Sequence, residues 1–260
     1  MKQSLALLLL LMAACAADPE PAPEATAEAS SEEQKADPLK KGRELIDQRE
    51  SGDSIDRALR LLDWHAKQKP ESAEIRTLTT EAYSRALDLL EDRKSQEKAR
   101  IKSLLGRGKP HAEAAIKLAP SKGETQYWRA CFLLHQADYD QSLGEAKEAL
   151  ALLEKAEASA PKTDDGGPSR MKGRVLHEMP GLFGGSLAKA VASYKKSLDV
   201  APNFVTTHLW LGEAYADGKR SDLARHELEG VVASTSRPGH DKEDTADRKK
   251  AEERLKSIKK

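Results

Sequence analysis

An all-α solenoid of antiparallel helix pairs is the fold this sequence predicts, and three observations predict it. Prolines recur in phase: Pro70, Pro120, Pro161 and Pro202 stand 50, 41 and 41 residues apart, each closing a stretch of helical periodicity. Small and apolar residues hold fixed offsets before them, as Ala190, Tyr194, Ser197 and Leu198 do before Pro202. A second pattern then follows, with Leu211, Gly212 and Tyr215 on one helix and Ala224 and Leu228 one turn apart on the next. Each feature has a physical reason. Proline lacks the N–H that a helix interior needs and biases the residue before it away from helical geometry. Gly212 lets two helices approach closely, Tyr215 fills the seam a turn later, and Ala224 is small where it crosses the first helix.

The same phase runs back along the chain. Ala58 and Leu62 precede Pro70, and Ala73 to Tyr83 follows with first-helix spacing, Tyr83 holding the place of Tyr215. Ala112, Ala115 and Ile116 precede Pro120, and Ala149, Leu153 and Ala156 precede Pro161. These offsets resemble those of the tetratricopeptide (TPR) repeat. The resemblance implies a right-handed superhelix of about four to five helix pairs. The spacing exceeds the usual unit of about 34 residues, so the repeats carry insertions. The final stretch, residues 239–260, alternates in charge with only Ala251, Leu255 and Ile258 apolar, the pattern of a polar helix capping the array.

The N-terminus predicts export. Lys2, an apolar run from Leu5 to Met12 and the small pair Ala13–Ala14 form a secretory signal over residues 1–14. The run falls short of the about 20 apolar residues that span a bilayer. Cys15 directly after the small pair resembles the bacterial lipoprotein box, in which that cysteine is lipidated, although Met12 stands where the box usually carries Leu, Val or Ile. The alternative is ordinary secretion with cleavage after Ala16 or Ala17. Residues 15–37, rich in Pro, Ala and Glu, are expected to be a disordered linker, because they have too little apolar surface to offset their ordering entropy. The repeat domain is expected over 38–238. By resemblance to lipoproteins, the absence of aspartate after Cys15 implies an outer-membrane anchor facing the periplasm.

Charge and motifs exclude several classes. With 43 basic and 43 acidic residues the chain is neutral, with no basic face to track a phosphate backbone, so nucleic acid is not an expected partner. The seven histidines form no His-x-x-x-His pair, and no metal or other cofactor is expected. His65 and His208 stand at packing positions of the repeat. Cys131, flanked by Ala130, Phe132 and Leu133, reads as a small buried thiol rather than a reactive one. Gly106 to Pro110 lacks the ending of a phosphate loop and reads as a kink or break in a long second helix. Asp164–Asp165–Gly166–Gly167–Pro168 lacks the later ligands of a calcium loop and reads as a polar turn. No catalytic constellation is present, and no enzyme is predicted.

Two departures from plain repeats narrow the family. Leu176 to Ser186 sets a Pro180–Gly181 turn and a Gly184–Gly185 pair between helices, and Ala86 to Pro120 is extended, with Tyr127–Trp128 after it. This ordering resembles the T-component lipoproteins associated with TRAP-type solute-uptake systems. The resemblance implies a periplasmic lipoprotein that docks a solute-binding partner and encloses a small apolar ligand. The alternative is a generic TPR lipoprotein organising an outer-membrane or secretion assembly through protein contacts. In TPR geometry the first helix of each pair faces the concave side. That places Glu74, Thr77, Glu81 and Ser84 in the groove, with Thr206, Leu209, Glu213 and Asp217 in the last unit. Trp128, Phe132 and His135 are the candidates in the third unit. Trp128 and Phe132 share a helix face, either as core or as ligand contacts.

Overall fold

The computed structural model describes residues 28–90 and 97–258, in which twelve α-helices follow one another. A short α1 (Ser31–Lys35) precedes five hairpins. These are α2 (Pro38–Asp47) with α3 (Ser54–Gln68), α4 (Ala73–Asp88) with α5 (Lys98–Leu118), and α6 (Gly123–Asp140) with α7 (Leu143–Ser159). Then come α8 (Gly167–Glu178) with α9 (Leu187–Val200), α10 (Val205–Asp217) with α11 (Ser221–Ala233), and the capping helix α12 (Asp241–Ser257). Within each hairpin the helices pack side by side, and each first helix also touches the first helix of the next unit.

The phased prolines act as the sequence predicts. The C-caps of α3, α5, α7 and α9 are Lys69, Ala119, Ala160 and Ala201, each directly before a proline and each with φ between −126° and −144°. The proline forces its predecessor out of helical geometry, so four second helices stop at the same point of the repeat. Serine side chains then start several helices: Ser72, Ser142 and Ser186 accept from backbone N–H groups of α4, α7 and α9.

The small residues sit at the crossings. Ala58, Ala112, Ala149, Ala190 and Ala224 are fully buried, as are Tyr83 and Tyr194, and Tyr215 is nearly so. A side chain at Gly212 would put its first carbon 2.8 Å from Leu228, which is why glycine stands where α10 meets α11. The core runs along the array as successive apolar clusters, from Leu45 to Phe132, from Tyr127 to Met179, and then through α8–α11 to Leu228, Val231 and Ala251. Ala251, Leu255 and Ile258 lay the stripe of α12 onto that last cluster.

Two expectations need correcting. The linker expected through residue 37 is ordered in its last part. Ser30 and Glu33 form a reciprocal capping box on α1, and the buried Glu33 accepts from Arg57 while its carbonyl meets His65 at 3.2 Å. Polar satisfaction orders this segment, together with the burial of Ala29 and the packing of Ala36 on the core. Second, no break occurs at Pro110, because α5 runs on through it. Asp164–Asp165 lies in a polar turn, as the sequence predicts, with Asp164 largely enclosed by ion pairs and Asp165 exposed. The signal, Cys15 and the linker up to residue 27 lie outside the described residues. Cys131 is buried and unbridged, with its thiol pushed up by burial.

The array closes on itself. Arg49 and Glu50, in the turn after α2, meet the start of α12. The Glu50 carboxylate accepts from the Lys242 and Glu243 backbone N–H groups at 2.8 and 2.9 Å. The cap residue of α12, His240, gives no side-chain cap, so a residue of the first unit satisfies the orphan amides of the last helix.

Candidate functional site

Closing the ring shapes a partly open cavity of about 370 Å³. Its walls are the inner faces of α2, α4 and α6, the turn before α8, Phe204 before α10, and His240 and Glu243 at the start of α12. First helices thus line it, as repeat geometry requires, but inter-unit turns contribute as much.

The walls are charged, and most of the charge is organised. Arg43 on α2 forks onto both oxygens of Glu81 on α4. Arg85 on α4 reaches across to Asp164, which also takes Arg170 Nη2 at 2.6 Å and the Tyr127 hydroxyl. Asp164, Asp165 and Gly166 are three successive residues in the left-handed region, with φ of 50°, 51° and 79°. Aspartate tolerates that region better than most side chains, but two in a row are strained. Arg170 holds the turn by donating to the Asp164 and Asp165 carbonyls at 3.0 and 3.1 Å. On the other wall Arg49 donates to both Glu243 oxygens, at 2.8 and 3.0 Å, and His240 Nδ1 lies 2.8 Å from Arg49 Nη2 and from Glu243 Oε2.

These pairs set the protonation of the site. Burial would raise the Asp164 carboxyl, but Arg85 and Arg170 together hold it below the usual range. Burial also opposes Glu243, yet the His240 contact and the Arg49 charge bring it down to about 2. At Glu81 burial wins and raises the carboxyl, the Arg43 fork only partly offsetting it. The apolar share of the lining is small: Ile46, the edge of Trp128 and Phe204. Trp128 carries the Arg85 guanidinium 4.9 Å from its ring, and Phe204 has Arg170 and Arg237 at 3.9 and 4.1 Å.

Of the residues expected in the groove, Glu81 and Trp128 reach this cavity. Most of the others tie one first helix to the next. Thr77 bonds Thr125 across α4 and α6 at 2.9 Å, and His135 meets Asp88 at 3.1 Å. Glu213 pairs with Arg174 of α8, Asp217 with His177 and with Arg254 of α12, and Thr206 donates to Asp247 of α12. Ser84 turns back onto the Thr80 carbonyl, and Glu74 is exposed at the start of α4. Phe132 and Leu209 are corrections. Phe132 is fully buried in the slot left open by Gly108, and Leu209 packs with Leu228 and Val231, so neither faces a groove. This cavity is charged rather than apolar, so it lends no support to the expected apolar ligand.

Arg43, Arg49, Arg85, Asp164, Phe204, His240 and Glu243 were not visible as site residues in the sequence. Only the Asp-Asp-Gly-Gly turn gave a signal, because that composition favours positive φ. Among the described residues no group of three or more His, Cys, Asp or Glu could hold a metal ion, and no helix is long and apolar enough to cross a membrane.

No family model matches the chain, and no curated protein matches it. Among solved structures, TTC0263, a thermophilic TPR protein of Thermus thermophilus, is similar over 85% of this chain and 96% of its own, at 18% identity and a TM-score of 0.57. YrrB, described as a TPR protein with an unusual peptide-binding site, is similar over 87% and 94%, at 16% identity and a TM-score of 0.49. The MamA protein is similar over 84% and 92%, at 18% identity and 0.43. At 18% identity the likeness to TTC0263 shows the fold alone: this chain is a TPR-like solenoid of helical hairpins.

Proposed function

We propose that this protein is a non-enzymatic scaffold that holds a protein partner, anchored in the bacterial envelope through Cys15. The observation that carries this reading is the TPR-like array whose inner face converges on one polar, partly open cavity. Its charged groups are mostly locked in structural pairs, which suits binding by shape and charge better than proton transfer. The Leu176 to Ser186 insert, the extended Ala86 to Pro120 stretch and Tyr127–Trp128 carry the likeness to T-component lipoproteins, and under that reading the partner is a solute-binding protein of an uptake system. An apolar ligand has no support in the lining of this cavity.

Partner capture tests the scaffold. The full chain, immobilised with a photo-crosslinking residue in place of Thr163 at the cavity, should trap a discrete protein from lysate of the source cell. Absence of any crosslinked protein there and at outer-face control positions would count against the scaffold. The anchor has its own test. Cys15→Ala should move the protein from the membrane to the soluble fraction, and unchanged fractionation would refute lipidation at that residue.

A further inference from the structure

We infer that the first half of α12 is a gate on the cavity, docked when Asp247 is protonated and released when it ionises; the use of that gate to admit a partner rests on the scaffold reading above.

α12 is held differently along its two halves. The second half lays Ala251, Leu255 and Ile258 on the apolar clusters of α10 and α11, and Arg225 of α11 donates to the Ile258 carbonyl at 2.7 Å. Before Ala251 the buried residues of α12 are carboxylates instead: Asp244 is fully enclosed and Asp247, a turn later, is 7% exposed. Helices open from their ends, and an end with little apolar burial opens most readily. Glu243 on that first half and the cap residue His240 wall the cavity, so release of this end removes the wall.

The two buried carboxylates share one arginine. Arg237, in the turn before α12, gives Asp244 its backbone N–H at 2.7 Å, Nε at 3.1 Å and Nη2 at 2.6 Å. Asp247 accepts instead from the Thr206 hydroxyl of α10, at 2.6 Å. A hydroxyl donates to a carboxyl but brings no charge to balance it, so an ionised Asp247 stands desolvated a turn from another carboxylate. The charged groups around it are few. Lys250 is exposed on the same helix, and Arg248 turns to the Ser234 carbonyl and the Ser236 and Thr245 hydroxyls. α11 sends Arg225 to the far end of α12, and the turn after α2 sends Arg49 and Glu50 to residues 240–243. Burial, joined by the Asp244 charge, raises the Asp247 carboxyl to about 6, and Thr206, Lys250 and Arg237 offset this only in part.

Undocking returns Asp247 to water and to the ordinary carboxylate range. The gate is therefore tightest below about pH 4 and loosens as pH rises through 6, its closed-to-open ratio falling by up to about a hundredfold. Glu243, held at about 2, keeps its charge over this range and does not move the gate. His240, with Nδ1 2.8 Å from both Arg49 Nη2 and Glu243 Oε2, is the other titratable group of the seam.

Residue-resolved hydrogen exchange of the full chain, corrected for the intrinsic pH dependence of exchange, tests the gate. The Lys242 and Glu243 amides donate to Glu50, so they report the seam directly. Their protection, and that of the amides onward to Lys250, should fall about tenfold or more between pH 4.5 and pH 7.5, while protection in α4 and α6 holds. Asp247→Asn keeps an acceptor for Thr206 and should flatten the change, whereas His240→Gln should leave it in place. A flat profile in the unsubstituted protein, the same fall in Asp247→Asn, its loss in His240→Gln, or an equal fall in α4 and α6 would each overturn the inference. At pH 7.5, Asp247→Asn should also slow partner crosslinking at residue 163. An equal rate with the exchange difference present would overturn control of access and leave the scaffold reading intact. The exchange difference without any crosslinked partner would support the gate and count against the scaffold.

Discussion

Two kinds of seam hold this ring together, and they differ in chemistry. Successive units share apolar clusters reinforced by polar ties, as where Leu228 fits against Gly212 and Glu213 meets Arg174. The closing seam, between the turn after α2 and the start of α12, consists of Arg49, Glu50, His240, Lys242 and Glu243. No apolar cluster among the described residues spans it. The difference teaches that the array and its closure are separable. Burying apolar surface holds the units in line, while largely buried charge pairs join the ends and so respond to pH.

The comparison can be broken most severely at the apolar seam. Leu228→Ala should cost about 2–5 kcal/mol, since it empties a fully buried site at a helix crossing; thermal melting would show it, and a small loss would mean the last unit repacks freely. Gly212→Leu attacks the same crossing from the other side. It should cost about 1–3 kcal/mol or more by overpacking against Leu228, and an unchanged melting temperature would refute the close approach.

pH sharpens the contrast, because two carboxyls of α12 titrate with opposite sign. Glu243 is held at about 2 in the fold, below its ordinary value. Its ionised form stabilises the folded ring above about pH 4.5, and that contribution is lost as pH falls through 2. Asp247 is the reverse: burial, only partly offset by the Thr206 hydroxyl, raises it to about 6. Its contribution is complete below about pH 4 and declines as pH rises through 6. Each should amount to no more than about 2–3 kcal/mol. Stability measured against pH should lose its acid limb in Glu243→Gln and its decline toward pH 6 in Asp247→Asn. Identical profiles for the two variants would remove the distinction. The smallest effect belongs to Glu50→Ala, about 0.5–2 kcal/mol for a lost helix cap. Amide exchange should speed up in the first turn of α12 alone, and uniform exchange would show that Glu50 does not cap it.

How much of this was legible follows from how local each determinant is. Pro70, Pro120, Pro161 and Pro202 act on their immediate predecessors, and Ala58, Ala190 and Ala224 act within one helical crossing, so sequence spacing reveals them. Glu81 and Trp128 followed from repeat register. Phe132 and Leu209 share that register but were drawn into the core by the slot at Gly108 and by Leu228, which the register does not encode. Glu50 and Lys242 meet across nearly the whole chain, and no periodicity marks them. Asp164 was visible as a turn residue, but its value as an ionic hub depends on Arg85, on another unit. The order at residues 31–35 came from Ser30 and Glu33, a capping box within a composition that otherwise signals disorder.

The cap that Glu50 places on α12 also sets a sequence of events during synthesis. The first four hairpins can pack as they emerge, each on its predecessor, through contacts close in the chain. The wall made by His240 and Glu243 cannot form until the last helix has left the ribosome and found a turn made at the start. The cavity is therefore a late product of folding, and a chain cut short before α12 would be a stack of hairpins lacking that wall.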